Sequence, residues 1–488
     1  MPISFNQIPV NVLTPGSYVE IDASRGISGL PRPRNRTVLI AQKLAAGTAA
    51  ANTLVRIDTA AQAKTLFGVG SMAAKMVEKY KLNDPYRELW VSPLADNGAG
   101  VAATGTILFS GTVAAAGVLP LYIAGQKLTI AIALAQATAA VATAVAAAIN
   151  AATDLPVTAT AAASTVTLTA RHKGTNGNGI DVRTAYYPED VTATGLVATV
   201  TPMASGATNP DVTAAFTAIG DEAFATVLHP YNDATNLAAI EAALAARADG
   251  MVMNDGLAVT AGVGSQGTHT ALGAARNSQF SVIAGVKNCP TPAYEIAAAL
   301  AGQEAFSNDN DPGRPSTTLV LKGVLAPTIS ERFGRQERQY LLESGISTCE
   351  VDAGGNLVIE RLVTTYKTNP QGYADTSMQD LTSMRLLFFL RWSLASRVST
   401  KYPRHKLGND GGNYGTGSAV VTPNTIKAEA IALFREWEEA GLVENFDQFK
   451  NDLVIERDTS DRNRLNAIIP PDLINQFLVF AAQIQFRK

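Results

Sequence analysis

The residues whose types and spacing come nearest to a chemical site are Gly262-Val263-Gly264-Ser265-Gln266-Gly267. A G-x-G-x-x-G run between a strand and a helix lets backbone N–H groups approach a pyrophosphate, because glycine puts no Cβ in the way. That use requires the first glycine close behind its strand and an acidic residue ending the next strand, where it would hold a ribose. With Met251-Val252-Met253 read as the strand, Gly262 comes too late, and the following strand runs into Gly285-Val286-Lys287, which is basic. A flexible surface loop is the preferred reading, and no cofactor is expected.

Metal and nucleophile chemistry find no better footing. His172, His229, His269 and His405 are far apart and match no H-E-x-x-H spacing, so each reads as structural. Cys289 and Cys349 are too few for a disulfide framework and have no metal-like spacing, which fits a reducing cytoplasm, although one bridge between them stays open. There is no G-x-S-x-G elbow, and no Gly-Lys dipeptide to build a P-loop. A triad assembled from distant residues would leave no local pattern. No catalytic, cofactor-binding or metal-ligating residue is therefore nominated, and the chain is expected not to be an enzyme.

Two basic clusters, Arg32, Arg34 and Arg36, then Lys401, Arg404, His405 and Lys406, have the charge to hold phosphate. The whole chain carries a formal net charge of -3, so no global positive field backs them. Solvated loops or protein ion pairs are the better reading, and nucleic acid is not an expected partner. Membranes are set aside too. Leu128 to Thr153 is uncharged and long enough to span, yet it is mostly Ala and Thr and begins with strand-like alternation. Leu386–Leu390 is bracketed by Arg385 and Arg391 and reads as a core helix. The N-terminus lacks a secretion signal, so synthesis is expected in the cytoplasm.

The elements that would position any site read as an α/β and α+β multidomain protein of 488 residues, too long for one ordinary core. Residues 1–30 hold Pro2, Pro9 and Pro15 around two short extended runs, Val10-Asn11-Val12-Leu13 and Tyr18-Val19-Glu20-Ile21, an N-terminal extended arm with edge-type strands. Residues 31–97 and 206–314 alternate strands with helices and predict a central mixed or parallel α/β layer. Between them, residues 98–205 are poor in charge and rich in Thr and Ala, an inserted β-rich domain with one helix near Thr138–Ala151. Residues 315–470 are assigned to a C-terminal domain, including a hairpin from Ser347–Val351 and a long strand Val358–Tyr366. There, Thr422-Pro423 signs an N-cap with proline in the first turn, and Ile426, Ala430, Leu433, Phe434 and Trp437 share one helix face that Gly441 ends. Residues 471–488 form a C-terminal arm, with Phe480, Ile484 and Phe486 on one side of a half-buried strand.

Taken in order, several segments resemble the tail sheath proteins of Mu-like contractile phages. Pro15-Gly16-Ser17-Tyr18-Val19-Glu20 looks like that family's N-terminal arm. Asp84-Pro85-Tyr86-Arg87-Glu88-Leu89-Trp90 and His229-Pro230-Tyr231-Asn232-Asp233 are similar to its middle region. The end is most specific: Arg397-Val398-Ser399-Thr400-Lys401-Tyr402-Pro403-Arg404, Asp461-Arg462-Asn463-Arg464-Leu465-Asn466 and Pro470-Pro471-Asp472-Leu473-Ile474-Asn475-Gln476.

The resemblance implies a subunit of a virion tail, assembled in the host cytoplasm. It would stack as hexameric rings around a tail tube protein, meet baseplate and tail terminator proteins, and contract to drive the tube through a host envelope without inserting in the membrane. It implies terminal arms that add strands to a neighbouring copy's C-terminal sheet, for which Val10, Val12, Tyr18, Val19, Ile21, Phe480, Ile484 and Phe486 are the candidate intersubunit contacts. By analogy, the helix from Pro423 would face the tube through Lys427, Arg435, Glu436, Glu438 and Glu439; a solvated face is the competing reading. A sheath of a phage-tail-like bacteriocin, and a hydrolase-like enzyme built on the α/β layer, are the alternatives.

Overall fold

The computed structural model describes residues 13–19, 31–415 and 418–487. Its contacts divide the chain into two compact units, one of residues 34–389 with 475–488, the other of residues 1–33 with 390–474.

The first unit is built on an eight-stranded sheet. It opens with β1 (Arg36–Gln42), β2 (Val55–Ile57), α1 (Ala60–Phe67), α2 (Met72–Asn83) and β3 (Glu88–Leu94). After the insertion come α4 (Thr213–Ile219), β11 (Thr226–Leu228), α5 (Ala234–Arg247), β12 (Leu257–Val263), α6 (Gln266–Ala274), β13 (Ser281–Val286), α7 (Ala293–Asn310), α8 (Arg335–Glu343), β14 (Ser347–Val351) and β15 (Leu357–Arg361). The strand order is β15-β14-β13-β12-β11-β1-β3-β2, parallel throughout except for the two antiparallel edge strands β15 and β2. Val38 to Ala41 and Val282 to Ala284 are buried because helices cover both sheet faces, which is why these strands are nearly uninterrupted apolar runs. The α7 helix is buried along most of its length, and a Cβ on Gly302 would come 2.8 Å from the Tyr80 carbonyl of α2, so glycine sets how closely the two helices approach.

The insertion comprises β4 (Ala102–Gly111), β5 (Gly117–Ile123), β6 (Gln126–Ile132), α3 (Thr138–Ala151), β7 (Val157–Ala162), β8 (Thr165–Lys173), β9 (Val182–Arg183) and β10 (Leu196–Ala204). It forms a four-stranded sheet, β10-β4-β8-β7, and a three-stranded one, β6-β5-β9. Ile107, Phe109, Val145, Ile149 and Leu168 belong to a hydrophobic cluster of its own. The repeated Thr-x-Thr pattern is thus a two-faced antiparallel sheet, with Thr158 and Thr160 outward and Val157 and Ala159 inward.

In the second unit, α9 (Leu381–Lys401), which starts in the first, leads to β16 (Lys406–Leu407), β17 (Val420–Val421), α10 (Pro423–Glu439), β18 (Val443–Glu444), α11 (Phe446–Asp452), β19 (Val454–Arg457), β20 (Leu465–Ile468) and β21 (Asp472–Leu473). Its strands make only pairs: β16 with β17, β18 with β21 and β19 with β20.

Three expectations change. Met251-Val252-Met253 is no strand: Met251 is exposed, Met253 has a left-handed φ of 56°, and the backbone N–H of Met251 donates to Asp249 Oδ1 at 2.9 Å. The Asp249-Gly250 turn chemistry that stops α5 outweighs the local apolar run, and the strand follows at Leu257. The hairpin of β14 and β15 extends the central sheet, since β14 pairs with β13, and is not part of a separate C-terminal sheet. The strand expected over Val358–Tyr366 stops at Arg361, because the N–H of Val363 turns to Ser347 Oγ and that of Thr364 to the Gln379 carbonyl.

Candidate assembly surfaces

Of the eight expected arm contacts, Val10, Val12 and Ile21 lie outside the described residues. Tyr18 and Val19 are exposed in a described segment, residues 13–19, that contains no strand. The Tyr18 hydroxyl donates to the Thr14 carbonyl at 3.1 Å. Its ring lies so near Gly16 that a Cβ there would come within 3.1 Å of it. The tyrosine of the Pro-Gly-Ser-Tyr sequence thus folds back over Gly16 to Thr14.

The C-terminal residues 475–487 form no strand, contrary to the half-buried strand expected there. Phe480, Ile484 and Phe486 are 79%, 91% and 79% exposed, and Phe477 and Val479 are exposed with them. Alternation marks which side chains share a strand face, but a strand also needs a ladder partner, and this segment has none among the described residues.

The C-terminal unit displays open sheet edges. In the β19–β20 hairpin, Val454 is opposite Ile468 and both are exposed. The intervening turn is tightly made: Asp458 accepts from the N–H of Ser460 and of Asp461, each at 2.8 Å, and from Asn466 Nδ2 at 2.8 Å, and these donors hold its carboxyl down at about 2. The Asp461–Asn466 motif is thus the reversal of a hairpin whose outer edges carry no other strand among the described residues.

On α10 the sequence reading of the helix holds. Thr422 Oγ1 accepts from the Thr425 N–H, Pro423 occupies the first turn, Ala430, Leu433, Phe434 and Trp437 are buried, and Gly441 has a φ of 70°. Its charged side chains are largely committed within the unit. Glu429 accepts from Arg397 Nη1 at 3.0 Å, from the Tyr402 hydroxyl at 3.0 Å, and from Lys401 Nζ. Arg397 also pairs with Glu436. Arg435 lies over the Phe446 ring and pairs with Glu438 at 2.6 Å. Of the five expected tube contacts, only Lys427 and Glu439 make no ion pair among the described residues. Sequence reading missed Glu429; the signal for it was the Arg397 and Lys401 spacing on α9, one turn apart, set against Glu429 and Glu436, two turns apart.

The motifs with chemical potential are used internally. With β12 ending at Val263, Gly262 lies in the strand itself, so the spacing objection to a dinucleotide cradle falls. The cradle is nevertheless filled: a Cβ on Gly262 would come 2.9 Å from His269 Cε1, and one on Gly285 would come 3.2 Å from the same ring. His269 Nε2 faces the Val286 carbonyl at 3.3 Å, and Ser265 caps α6 by accepting from the Thr268 N–H at 3.2 Å. The glycines make room for an imidazole in an ordered strand-to-helix junction, which replaces the expected flexible loop.

His172 links the insertion to the central sheet, accepting from the Met72 N–H at 3.0 Å through Nε2 while Nδ1 lies 2.9 Å from Asp96 Oδ1. His229 is fully buried, and burial lowers its pKa to about 4. Both cysteines are free, buried thiols, each pushed up to about 12 by burial. Among the basic clusters, Arg34 pairs with Glu88, Arg36 with Glu222 and Lys401 with Glu429. Among the described residues no group of three or more His, Cys, Asp or Glu could hold a metal ion, and no helix is long and apolar enough to cross a membrane.

Comparison with known proteins gives these surfaces a context. The family described as phage tail sheath protein central domain matches residues 205–365, and the phage tail sheath C-terminal domain matches residues 373–487. The Mu-like prophage FluMu tail sheath protein of Haemophilus influenzae is 40% identical over 486 residues, covering 100% of both chains. Among solved structures, the sheath tail protein of Desulfitobacterium hafniense is similar with a TM-score of 0.49 at 12% identity, covering 94% of this chain and 100% of that one. A chain of the anti-feeding prophage baseplate gives a TM-score of 0.48 at 12% identity, covering 98% and 100%. The two domain matches and the full-length relative establish that the chain belongs to the phage tail sheath protein family.

Proposed function

We propose that this sheath protein polymerises as stacked hexameric rings around a tail tube, and that its assembly contracts to drive the tube through the host cell envelope. In this reading the chain is a structural subunit of a virion tail, assembled in the host cytoplasm, without catalysis, a cofactor or a nucleic-acid partner. The assembly meets the baseplate at one end and a terminator protein at the other.

One observation carries the reading of how copies join: a terminal segment of alternating apolar side chains, Phe480, Ile484 and Phe486, is exposed and pairs with no strand among the described residues, in a chain that also displays a two-stranded hairpin with exposed Val454 and Ile468. Such a segment is built to add as a strand to another copy's open sheet. Ordering it costs roughly 1–2 kcal/mol per residue in backbone entropy, so it orders only where ladder bonds and side-chain contacts offset that cost. Strands joined through flexible terminal segments keep their hydrogen bonds while the bodies they join rotate, which suits contraction by rigid-body rearrangement.

Negative-stain electron microscopy of the purified chain with and without its tail tube tests this. Long striated tubes are expected with the full chain, and their loss is expected when residues 1–22 or 475–488 are removed. Tubes that form equally well without either terminus would remove the arms from the assembly mechanism.

A further inference from the structure

A cavity of about 110 Å³ opens in the first unit beyond the carboxyl ends of β13 and β14. Its walls are Val286, Pro327, Phe333, Val351 and Leu357, and Cys349 also lines it. A water needs only about 10–15 Å³ of such space, so the cavity takes several waters or one compact solute. Three cations, Lys287, Arg332 and Arg338, converge on it against one lining carboxylate, Glu350.

The partners of these cations differ. Lys287 has Glu337 at 3.6 Å and lies 5.7 Å from the centre of the Phe333 ring. Arg338 contacts Glu360 at 2.8 Å and Glu350 at 3.5 Å. Arg332 donates through Nε to the Pro327 carbonyl at 3.1 Å and makes no ion pair among the described residues. A half-buried guanidinium that lines a cavity and makes no ion pair among the described residues retains donors in the fork geometry that matches an oxyanion. An apolar solute would desolvate Arg332 without a partner.

We infer that this cavity binds a small oxyanion, phosphate or carboxylate, with Arg332 as its principal ligand and Lys287 and Arg338 as flanking charges. The site is independent of the arms and of the helix α10. Cys349 is no obstacle, because a buried thiol held in its neutral form adds no negative charge.

The test is calorimetric titration of the full-length chain with inorganic phosphate at constant ionic strength, comparing wild type with Arg332→Gln and with Arg56→Gln, whose exposed guanidinium pairs with Asp58 elsewhere. Saturable binding is expected in the wild type, unchanged in R56Q, at least tenfold weaker in R332Q, and reduced by competing acetate. Absent or non-saturable uptake in the wild type, or equal affinity in R332Q, overturns the proposal. Should R332Q fail to fold, Lys287→Gln supplies the reading: severalfold weaker binding supports the site, and unchanged affinity overturns it.

Discussion

Arg385 of α9 reaches Glu304 of α7 through two bonds, Nε to Oε1 at 2.7 Å and Nη2 to Oε2 at 2.8 Å, and both side chains are buried. The same guanidinium donates to Thr226 Oγ1 at 2.8 Å, fixing the start of β11. Removing one partner leaves an uncompensated buried charge, so Glu304→Leu or Arg385→Met should each destabilise the first unit by about 3–5 kcal/mol. The double change to two apolar residues should recover much of that loss. Urea denaturation of the four proteins checks it, and additive single losses in the double variant would count against the pair as a coupled unit.

Glu429 collects donors from Arg397, Lys401 and Tyr402 and so ties the end of α9 to α10. Glu429→Gln should lower the stability of the C-terminal unit by about 1–3 kcal/mol, since charge-assisted bonds exceed neutral ones. Tyr402→Phe should cost less, because two cations still pair with the carboxylate. Equal melting of all three proteins would show that the cluster is only surface decoration.

His229 links stability to pH. Its folded pKa, about 4, lies below the usual value of 6.5, so between these limits the unfolded chain binds a proton that the folded chain does not. Stability should therefore fall as pH drops from about 6.5 to 4, by roughly 3 kcal/mol over that window, and level off from this source below it. His229→Gln should flatten that part of the profile. An unchanged pH slope in the variant would assign the acid sensitivity to other groups.

The insertion should be removable. Val101 and Ala207 bond reciprocally, N–H to carbonyl at 3.0 and 3.1 Å, so the chain enters and leaves the inserted domain at adjacent points. Joining residue 97 to residue 206 should leave a soluble, cooperatively melting protein that loses the Asp96–His172 joint, the Arg183–Glu331 and Lys64–Asp154 ion pairs and the bond from the Tyr186 hydroxyl to the Ala326 carbonyl. Global unfolding of this deletant by circular dichroism would mean that the insertion completes the central core.

For tube contact, Lys427 and Glu439 are the α10 charges with no ion pair among the described residues. Reversing both, Lys427→Glu with Glu439→Lys, should weaken co-sedimentation with tail tubes while leaving the melting temperature unchanged. Arg435→Glu should instead destabilise, through loss of the Phe446 stack and the Glu438 pair. Unaltered tube binding by the double reversal would remove this helix face from the interface.

Local chemistry was legible in the sequence wherever a short-range rule decides the outcome. Thr422-Pro423 and Gly441 delimited α10, the Ala-rich run Thr138–Ala151 marked α3, and the uninterrupted apolar run at Val38 announced a buried strand. The change in composition near residues 98 and 205 marks a segment with its own sheets and apolar cluster, because an exposed Thr-rich sheet face needs different residues from a buried parallel sheet.

What only the tertiary structure decided were outcomes set by distant partners. The inconspicuous Leu257–Val263 is a strand because it lies between β11 and β13. The glycine-rich motif owes its form to a buried imidazole. Glu429 and Glu436 are held by Arg397 and Lys401 of α9, a pairing that the periodicity of α10 alone does not record. In each case the deciding free energy comes from contacts between segments far apart in the chain, which local periodicity does not record.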